Sequence, residues 1–308
     1  MTTDLALLIL SLASAMSTSA CSGCRQKQER SGEIVETLPP LESRASTLAL
    51  EVPGFADAVV RVPVGARRPM PVVVAVLGIG DTPEDQCAVF GDVAGKDAFV
   101  LCPRGLPNMV RPDEPIKDEN ASSEATPVGE GASGAGATEG TDRPDEAGAA
   151  APVQVGFIHT DVPRLEREID AGLAALRSRW GSHVAEGAIV YAGFSRGAFL
   201  GASLAAKRGE RYRRVLLVEG GHTPWTDQAA AAFAKGGDTR VLFACGQESC
   251  TSDARAAAEV LSRRQVDTRV VTGAGEGHGY KRQVKDEISA AFPWLVEGAP
   301  AWPTRGNK

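Results

Sequence analysis

Most of this chain alternates between two patterns of hydrophobic and polar residues. Short runs of consecutive apolar residues, many of them β-branched, recur along it, as in "PVVVAVLG" at 71–78 and "AIVYA" at 188–192. Such uninterrupted runs are typical of strands covered on both faces of a sheet. The segments between them place apolar residues three or four positions apart, as a helix with one buried face requires. The pattern therefore predicts strands that alternate with helices.

Capping residues indicate where some of these helices begin. Thr82 and Pro83 suit the N-cap and first position of a helix over 83–96, and Asp161 can cap a helix over 160–180. Further helices are predicted directly after residue 195 and over 225–237, 251–265 and 281–295. The pattern also predicts a β-hairpin over 47–64 and strands at 98–103, 213–221, 239–246 and 267–273. Because strands and helices of these lengths alternate, we expect an α/β fold with a mostly parallel central sheet and helices on both faces.

One long segment interrupts this alternation. Residues 106–155 contain almost no large apolar side chains, and residues 111–152 hold ten acidic and three basic residues, a net charge of −7. Such a segment cannot bury enough apolar surface to offset the entropy lost on ordering. We therefore predict a disordered acidic insertion within a domain that covers residues 47–298, followed by a C-terminal tail at 299–308. Nothing in the composition favours a functional lid.

The N-terminus has the pattern of an export signal. An apolar run of twelve residues at 5–16 is too short to span a bilayer and is followed by the small residues "STSAC". We predict a signal peptide at 1–20 and a polar tether at 21–46; the alternative is a buried N-terminal helix. The cleavage region resembles a bacterial lipobox, which implies a lipid on Cys21. The lipid would anchor the protein to a bacterial membrane, and without it the protein would be periplasmic or secreted.

The other cysteines fit the same compartment. Cys87 and Cys102 are close in sequence, as are Cys245 and Cys250, which predicts two disulfides in an oxidising environment; the alternative is four buried thiols. Cys21 and Cys24 lack the second pair that a zinc site needs, and we predict no metal and no cofactor. A net charge of −6 argues against a general nucleic-acid partner.

The motif "GFSRG" at 193–197 carries the clearest chemistry. The predicted strand at 188–192 leads directly into it, and a helix rich in Gly and Ala leaves directly from it. So abrupt a reversal forces Ser195 into a strained conformation, and bulky residues at Gly193 and Gly197 would clash. The strain exposes the Ser195 hydroxyl at a helix N-terminus, where the helix dipole favours developing negative charge. This context predicts a nucleophilic serine rather than a passive turn.

The order of the elements and "GFSRG" together resemble the α/β-hydrolase family over about residues 47–298, and in general form the secreted esterases of the polyhydroxyalkanoate-depolymerase or feruloyl-esterase kind. The resemblance implies a base after the last strand, where "GAGEGHGY" places His278. It also implies an oxyanion hole formed by the N–H groups of Arg196 and of Ile79, with Gly80 as the next choice. The family often has His-Gly where this chain has Leu77-Gly78.

The acidic member of the triad is left open by the sequence. The family usually places an acid shortly after the strand "VLFACG", where this chain offers Glu248 and Asp253. Some members place it after the preceding strand, where Glu219 ends "LLVE". A carboxylate at the end of a buried strand is difficult to explain as a surface charge, which favours Glu219. The acid would orient His278 and offset its positive charge.

These features predict an exported serine hydrolase that cleaves a carboxylic ester through an acyl-enzyme on Ser195. Its partners would be a small or polymeric ester and, through Cys21, a membrane. The alternatives are a non-catalytic cell-surface binding protein of the same fold and a serine peptidase.

Overall fold

The structure is a computed structural model that describes residues 37–110 and 154–302. The predicted signal peptide, Cys21, most of the tether and most of the acidic insertion lie outside the described residues, as does the end of the C-terminal tail. The strands are β1 Thr47–Leu50, β2 Ala58–Arg61, β3 Met70–Val76, β4 Phe99–Cys102, β5 Leu106–Val110, β6 Gln154–Ile158, β7 Val184–Phe194, β8 Arg214–Val218, β9 Arg240–Cys245 and β10 Asp267–Thr272.

Eight of these strands form one central sheet in the order β1-β2-β4-β3-β7-β8-β9-β10. The predicted hairpin β1–β2 pairs antiparallel at one edge, and β2 also pairs antiparallel with β4. All remaining neighbours in this sheet run parallel. Because parallel strands end at the same edge, the loops that follow β3, β7, β8, β9 and β10 all leave the sheet on one side.

Six α-helices cover both faces of the sheet in the described residues: α1 Pro83–Ala94, α2 Val162–Trp180, α3 Arg196–Lys207, α4 Asp227–Ala234, α5 Glu248–Ser262 and α6 Arg282–Val296. The apolar sides of α2 to α5 form one core with the sheet, and those of α1 and α6 form a second core on the opposite face. Thr82 and Asp161 cap α1 and α2 through their side chains. The predicted α/β fold class is confirmed.

A second, two-stranded sheet overlaps both ends of the segment that the composition assigned to the insertion. Strands β5 and β6 pair antiparallel with each other, so the two ends of the segment at 106–155 are ordered by mutual pairing. Phe157 in β6 also forms a bridge with Asp81, in the loop after β3. Gly156 makes this contact possible, since a Cβ there would overlap the backbone of Gly80. Residues 106–110 and 154–155 at the ends of the predicted insertion therefore lie in strands.

Both predicted cysteine pairs are disulfides. Cys87–Cys102 joins α1 to β4, and Cys245–Cys250 joins the end of β9 to the first turn of α5. Within the two described ranges, none of the helices combines the length and apolar character that crossing a membrane requires.

Candidate active site

Ser195 occupies the tight turn between β7 and α3. Its φ of 51° lies in the left-handed region, which side chains other than glycine rarely adopt. The neighbouring glycines are required by space: a Cβ at Gly193 would overlap the backbone of Gly197, and a Cβ at Gly197 would overlap the carbonyl oxygen of Val76. The structure therefore has the strand–turn–helix geometry that "GFSRG" predicts.

Two hydrogen bonds restrain the turn at Ser195. The N–H of Ser195 donates to the carbonyl of Val218 at the end of β8, at 2.8 Å. The buried hydroxyl of Tyr191 donates to the carbonyl of Gly197 at 2.6 Å. Burial raises the pKa of Tyr191, so this phenol remains protonated and stays a donor. Packing and hydrogen bonds thus hold Ser195 in a conformation that it would not adopt alone.

His278 lies in the loop between β10 and α6, at the same edge of the sheet as Ser195. Its ring packs against the ring of Phe194, with 5.1 Å between the centroids. Because Phe194 directly precedes Ser195, this contact places the loop with the predicted base beside the turn that carries the predicted nucleophile. The His278 side chain is 33% exposed, so its surroundings are partly aqueous.

Glu219 is the carboxylate that meets His278. Its Oε2 lies 3.4 Å from Nδ1 of His278, and its side chain is 0% exposed. Its Oε1 accepts hydrogen bonds from the N–H groups of Gly246 and Gln247, directly after β9. Glu219 also has a left-handed φ, of 50°, in the turn after β8. A buried carboxylate held by two amides can orient an imidazole and stabilise its charged form.

The other two acidic candidates lie on α5. Glu248 is its first residue and is exposed to solvent. Asp253 faces a different histidine, with its Oδ2 3.8 Å from Nδ1 of His222. Burial lowers the pKa of His222, so this imidazole is mainly neutral at pH 7.

The remaining histidines lie elsewhere in the fold. His159 follows β6 and is buried beside Glu168 of α2, with 3.5 Å between Nδ1 and Oε2. His183 lies at the surface, where its Nε2 is 2.9 Å from the carbonyl of Pro39. Neither of these two contacts involves a residue of the predicted triad.

The predicted oxyanion donors lie on two segments at this edge. Ile79 follows β3 closely, and Arg196 is the first residue of α3, where backbone N–H groups have no acceptor within the helix. The N–H of Gly80 donates to the carbonyl of Phe157 at 3.0 Å, which favours Ile79 over Gly80. The Arg196 side chain turns away to the carbonyl of Thr160, at 2.8 Å.

A cluster of potential ligand atoms at Glu219, Cys245 and Cys250 does not fit a metal ion. Their ligand atoms lie within 4.8 Å of one another, but the two sulfurs form a disulfide and carry no thiolate charge. The Cys245–Cys250 disulfide instead lies beside the buried carboxylate of Glu219.

A hydrogen-bonded group of Asp81, Gln86 and Tyr280 lies at the same edge, and the sequence did not single out these three residues. Asp81 and Tyr280 are 199 residues apart. Tyr280 lies in the "GHGY" stretch that also holds His278, but no local sequence pattern indicates its hydrogen bond to Asp81.

Comparison with known proteins gives a likeness of fold. No family model matches the chain, and no curated protein matches it. Among solved structures it is similar to the esterase PE8 (16% identity, 80% of this chain and 100% of that one, TM-score 0.48) and to the Bacillus cereus carboxylesterase (14%, 77% and 92%, 0.47). It is also similar to the Staphylococcus aureus fluorophosphonate-binding serine hydrolase F (12%, 84% and 99%, 0.49).

The strand order of the central sheet, with an antiparallel hairpin at one edge and the Ser195 turn after its central strand β7, decides the architecture. The chain has the α/β-hydrolase fold. Within this fold, the residues that follow the parallel strands face one shared edge, and Ser195, Glu219 and His278 all lie there.

Proposed function

We propose that this protein is a serine hydrolase that cleaves a carboxylic ester through an acyl-enzyme on Ser195. One observation carries the proposal: a serine in a left-handed turn at a helix N-terminus lies at the same edge as an imidazole paired with a buried carboxylate. A surface serine in an ordinary turn needs neither the strained backbone nor the buried glutamate. A buried carboxylate beside a histidine is not sufficient by itself, since Glu168 and His159 form such a pair elsewhere; the strained Ser195 turn at the same edge is what favours a triad here.

In this mechanism the Ser195 hydroxyl oxygen attacks the ester carbonyl carbon, and His278 accepts the hydroxyl proton. The tetrahedral intermediate collapses when His278 returns that proton to the leaving alcohol, which yields the acyl-enzyme. A water molecule then attacks the acyl carbon and gives its proton to His278, and release of the acid restores the Ser195 hydroxyl. Glu219 holds the imidazole by Nδ1 and offsets its transient positive charge.

Two backbone donors would stabilise the charge that develops on the carbonyl oxygen. The N–H groups of Ile79 and Arg196 lie on segments adjacent to Ser195, and that of Arg196 also benefits from the dipole of α3. Backbone donors tolerate the replacement of the family's usual His-Gly by Leu77-Gly78, because they use no side-chain atom.

A fluorophosphonate probe tests the nucleophile directly. We expect covalent labelling at Ser195, seen by mass spectrometry of the tryptic peptide, and hydrolysis of p-nitrophenyl esters. Both should be lost in Ser195→Ala and retained in Ser203→Ala, a serine further along the same helix whose hydroxyl bonds the carbonyl of Phe199. Folded wild-type protein that is neither labelled nor active would indicate a binding protein, and faster cleavage of peptide amides than of esters would indicate a peptidase.

We also propose export, with a lipid on Cys21 as the membrane anchor. The two disulfides fit an oxidising compartment. Membrane fractionation of wild type and Cys21→Ala in a bacterial host tests the anchor: the wild type should partition with membranes and the variant should not. Equal partitioning of the two would refute lipidation at this residue.

A further inference from the structure

Tyr280 connects three segments of the candidate active site. It follows His278 by two residues, and its hydroxyl donates to Oδ2 of Asp81 at 2.5 Å. Its ring packs against Phe194, the residue before Ser195, with 4.4 Å between centroids. Asp81 in turn follows Ile79 by two residues. A single side chain, 4% exposed, thus touches the base loop, the nucleophile turn and the loop that holds the predicted oxyanion donor.

Asp81 is itself firmly held, so it can serve as an anchor. Its Oδ1 accepts from the N–H of Thr82 at 2.9 Å, and its Oδ2 also accepts from the fully buried Gln86 at 2.8 Å. Its backbone carbonyl accepts from the N–H of Phe157 at 3.0 Å. The residue is therefore attached both to the start of α1 and to β6.

The loop that carries His278 needs such an anchor because it is rich in glycine. Residues 273–279 contain four glycines, and Gly275 and Gly277 have φ values of 82° and 76°. Glycine gives a backbone more accessible conformations than any other residue, so side chains must restrict the loop. Glu276 contributes one restraint, since its Oε2 accepts from the N–H of Val284 at 2.8 Å, within the loop's own connection to α6. The Tyr280–Asp81 bond is a restraint that reaches a different segment.

We infer that Tyr280 is a positioning residue, which fixes the base His278 relative to the oxyanion donor Ile79 through its hydrogen bond to Asp81. This inference rests on the proposed hydrolase function. Chemistry on an ester requires the base and the oxyanion donors to be placed together around one carbonyl group, within fractions of an ångström. A direct link between their loops keeps this spacing constant while substrate enters and leaves.

The protonation state of the phenol is suited to this task. Burial and the negative charge of Asp81 raise the pKa of Tyr280 well above its usual range. Tyr280 therefore remains a donor throughout the pH range in which the enzyme would work, and the link does not open on titration of the phenol.

The test compares two Tyr→Phe substitutions. Tyr280→Phe keeps the aromatic packing against Phe194 and removes the hydrogen bond to Asp81. Tyr212→Phe removes the hydroxyl of another buried tyrosine, which has no hydrogen-bond partner among the described residues. We expect Tyr280→Phe to lower kcat on a p-nitrophenyl ester about tenfold, as losing a bond to a charged group predicts, with KM changed less than about twofold. Tyr212→Phe should change neither parameter.

A double-mutant cycle separates positioning from loss of stability. If Tyr280 acts through Asp81, the combination of Tyr280→Phe with Asp81→Asn should lower kcat no more than the larger single effect. Hydrogen exchange should also become faster in Tyr280→Phe at 273–281 and at 78–82, and remain unchanged in the sheet. A kcat for Tyr280→Phe within twofold of wild type, or fully additive effects in the cycle, would overturn the inference.

The fluorophosphonate labelling rate distinguishes this failure from that of the proposed function. If wild type is labelled at Ser195 and Tyr280→Phe is labelled equally fast, the positioning role is refuted and the hydrolase stands. If folded wild type is not labelled at all, the hydrolase proposal and the positioning role are refuted together.

Discussion

Replacing the buried carboxylate with an amide is the sharpest test of the proposed triad. Glu219→Gln preserves the shape of the side chain and leaves an oxygen that can still accept from Gly246 and Gln247. With that oxygen on the two amides, the atom that faces His278 is an NH₂ group. The substitution thus removes the charge beside the imidazole with little change in packing.

The structure gives the size of the effect. At 3.4 Å, the attraction between the carboxylate and a protonated imidazole is about 5 kcal/mol at an effective dielectric constant of about 20. Because the His278 ring is 33% exposed, solvent screening reduces this value to about 4 kcal/mol. This corresponds to a loss of about 10³-fold in kcat, since each 1.4 kcal/mol is about a factor of ten.

The assay is steady-state hydrolysis of a p-nitrophenyl ester, with thermal unfolding measured on the same samples. Glu248→Gln is the matched control, because it makes the same chemical change at an exposed position on α5. We expect its kcat to stay within about twofold of wild type. A loss smaller than tenfold in folded Glu219→Gln, or a larger loss in Glu248→Gln, would refute the assignment of the acid.

Three further predictions concern the disulfides, the nucleophile turn and the half-buried His222. Replacing Cys245 and Cys250 by Ala should lower kcat for ester hydrolysis more than replacing Cys87 and Cys102, because only the first pair flanks the amides that hold Glu219. Equal effects on kcat would contradict a role of the first disulfide in holding Glu219. Gly197→Ala should abolish folding or strongly lower the melting temperature measured by circular dichroism, because the added Cβ would overlap the backbone of β3. An unchanged melting temperature would mean that the turn does not require glycine at this position. Burial lowers the pKa of His222, so the unfolded chain binds a proton at this residue before the folded protein does as the pH falls through 6.5. Wild type should therefore lose stability relative to His222→Gln between pH 7 and pH 5, measured by urea titration. The same pH dependence of stability in both proteins would contradict the lowered pKa.

The alternation of apolar and amphipathic segments was enough to predict the fold class. A parallel strand covered on both faces must be apolar throughout, and a covering helix must be apolar on one side, so both leave a local pattern. The turn at Ser195 was also predictable, because its steric demands fall on Gly193 and Gly197, which lie two positions away on either side. The two disulfides join residues only 15 and 5 positions apart, which sequence proximity suggested.

The tertiary structure decided which distant residues meet. Glu219 and Glu248 both follow central strands, and only the path of each loop shows that Glu219 lies against the ring of His278. Tyr280 and Asp81 belong to segments at opposite ends of the domain sequence, and the strands β5 and β6 are ordered by pairing with each other across the intervening residues. The local pattern of apolar residues indicates which faces of a helix or strand are buried. A contact between side chains far apart in sequence depends instead on the strand order, which no single segment specifies.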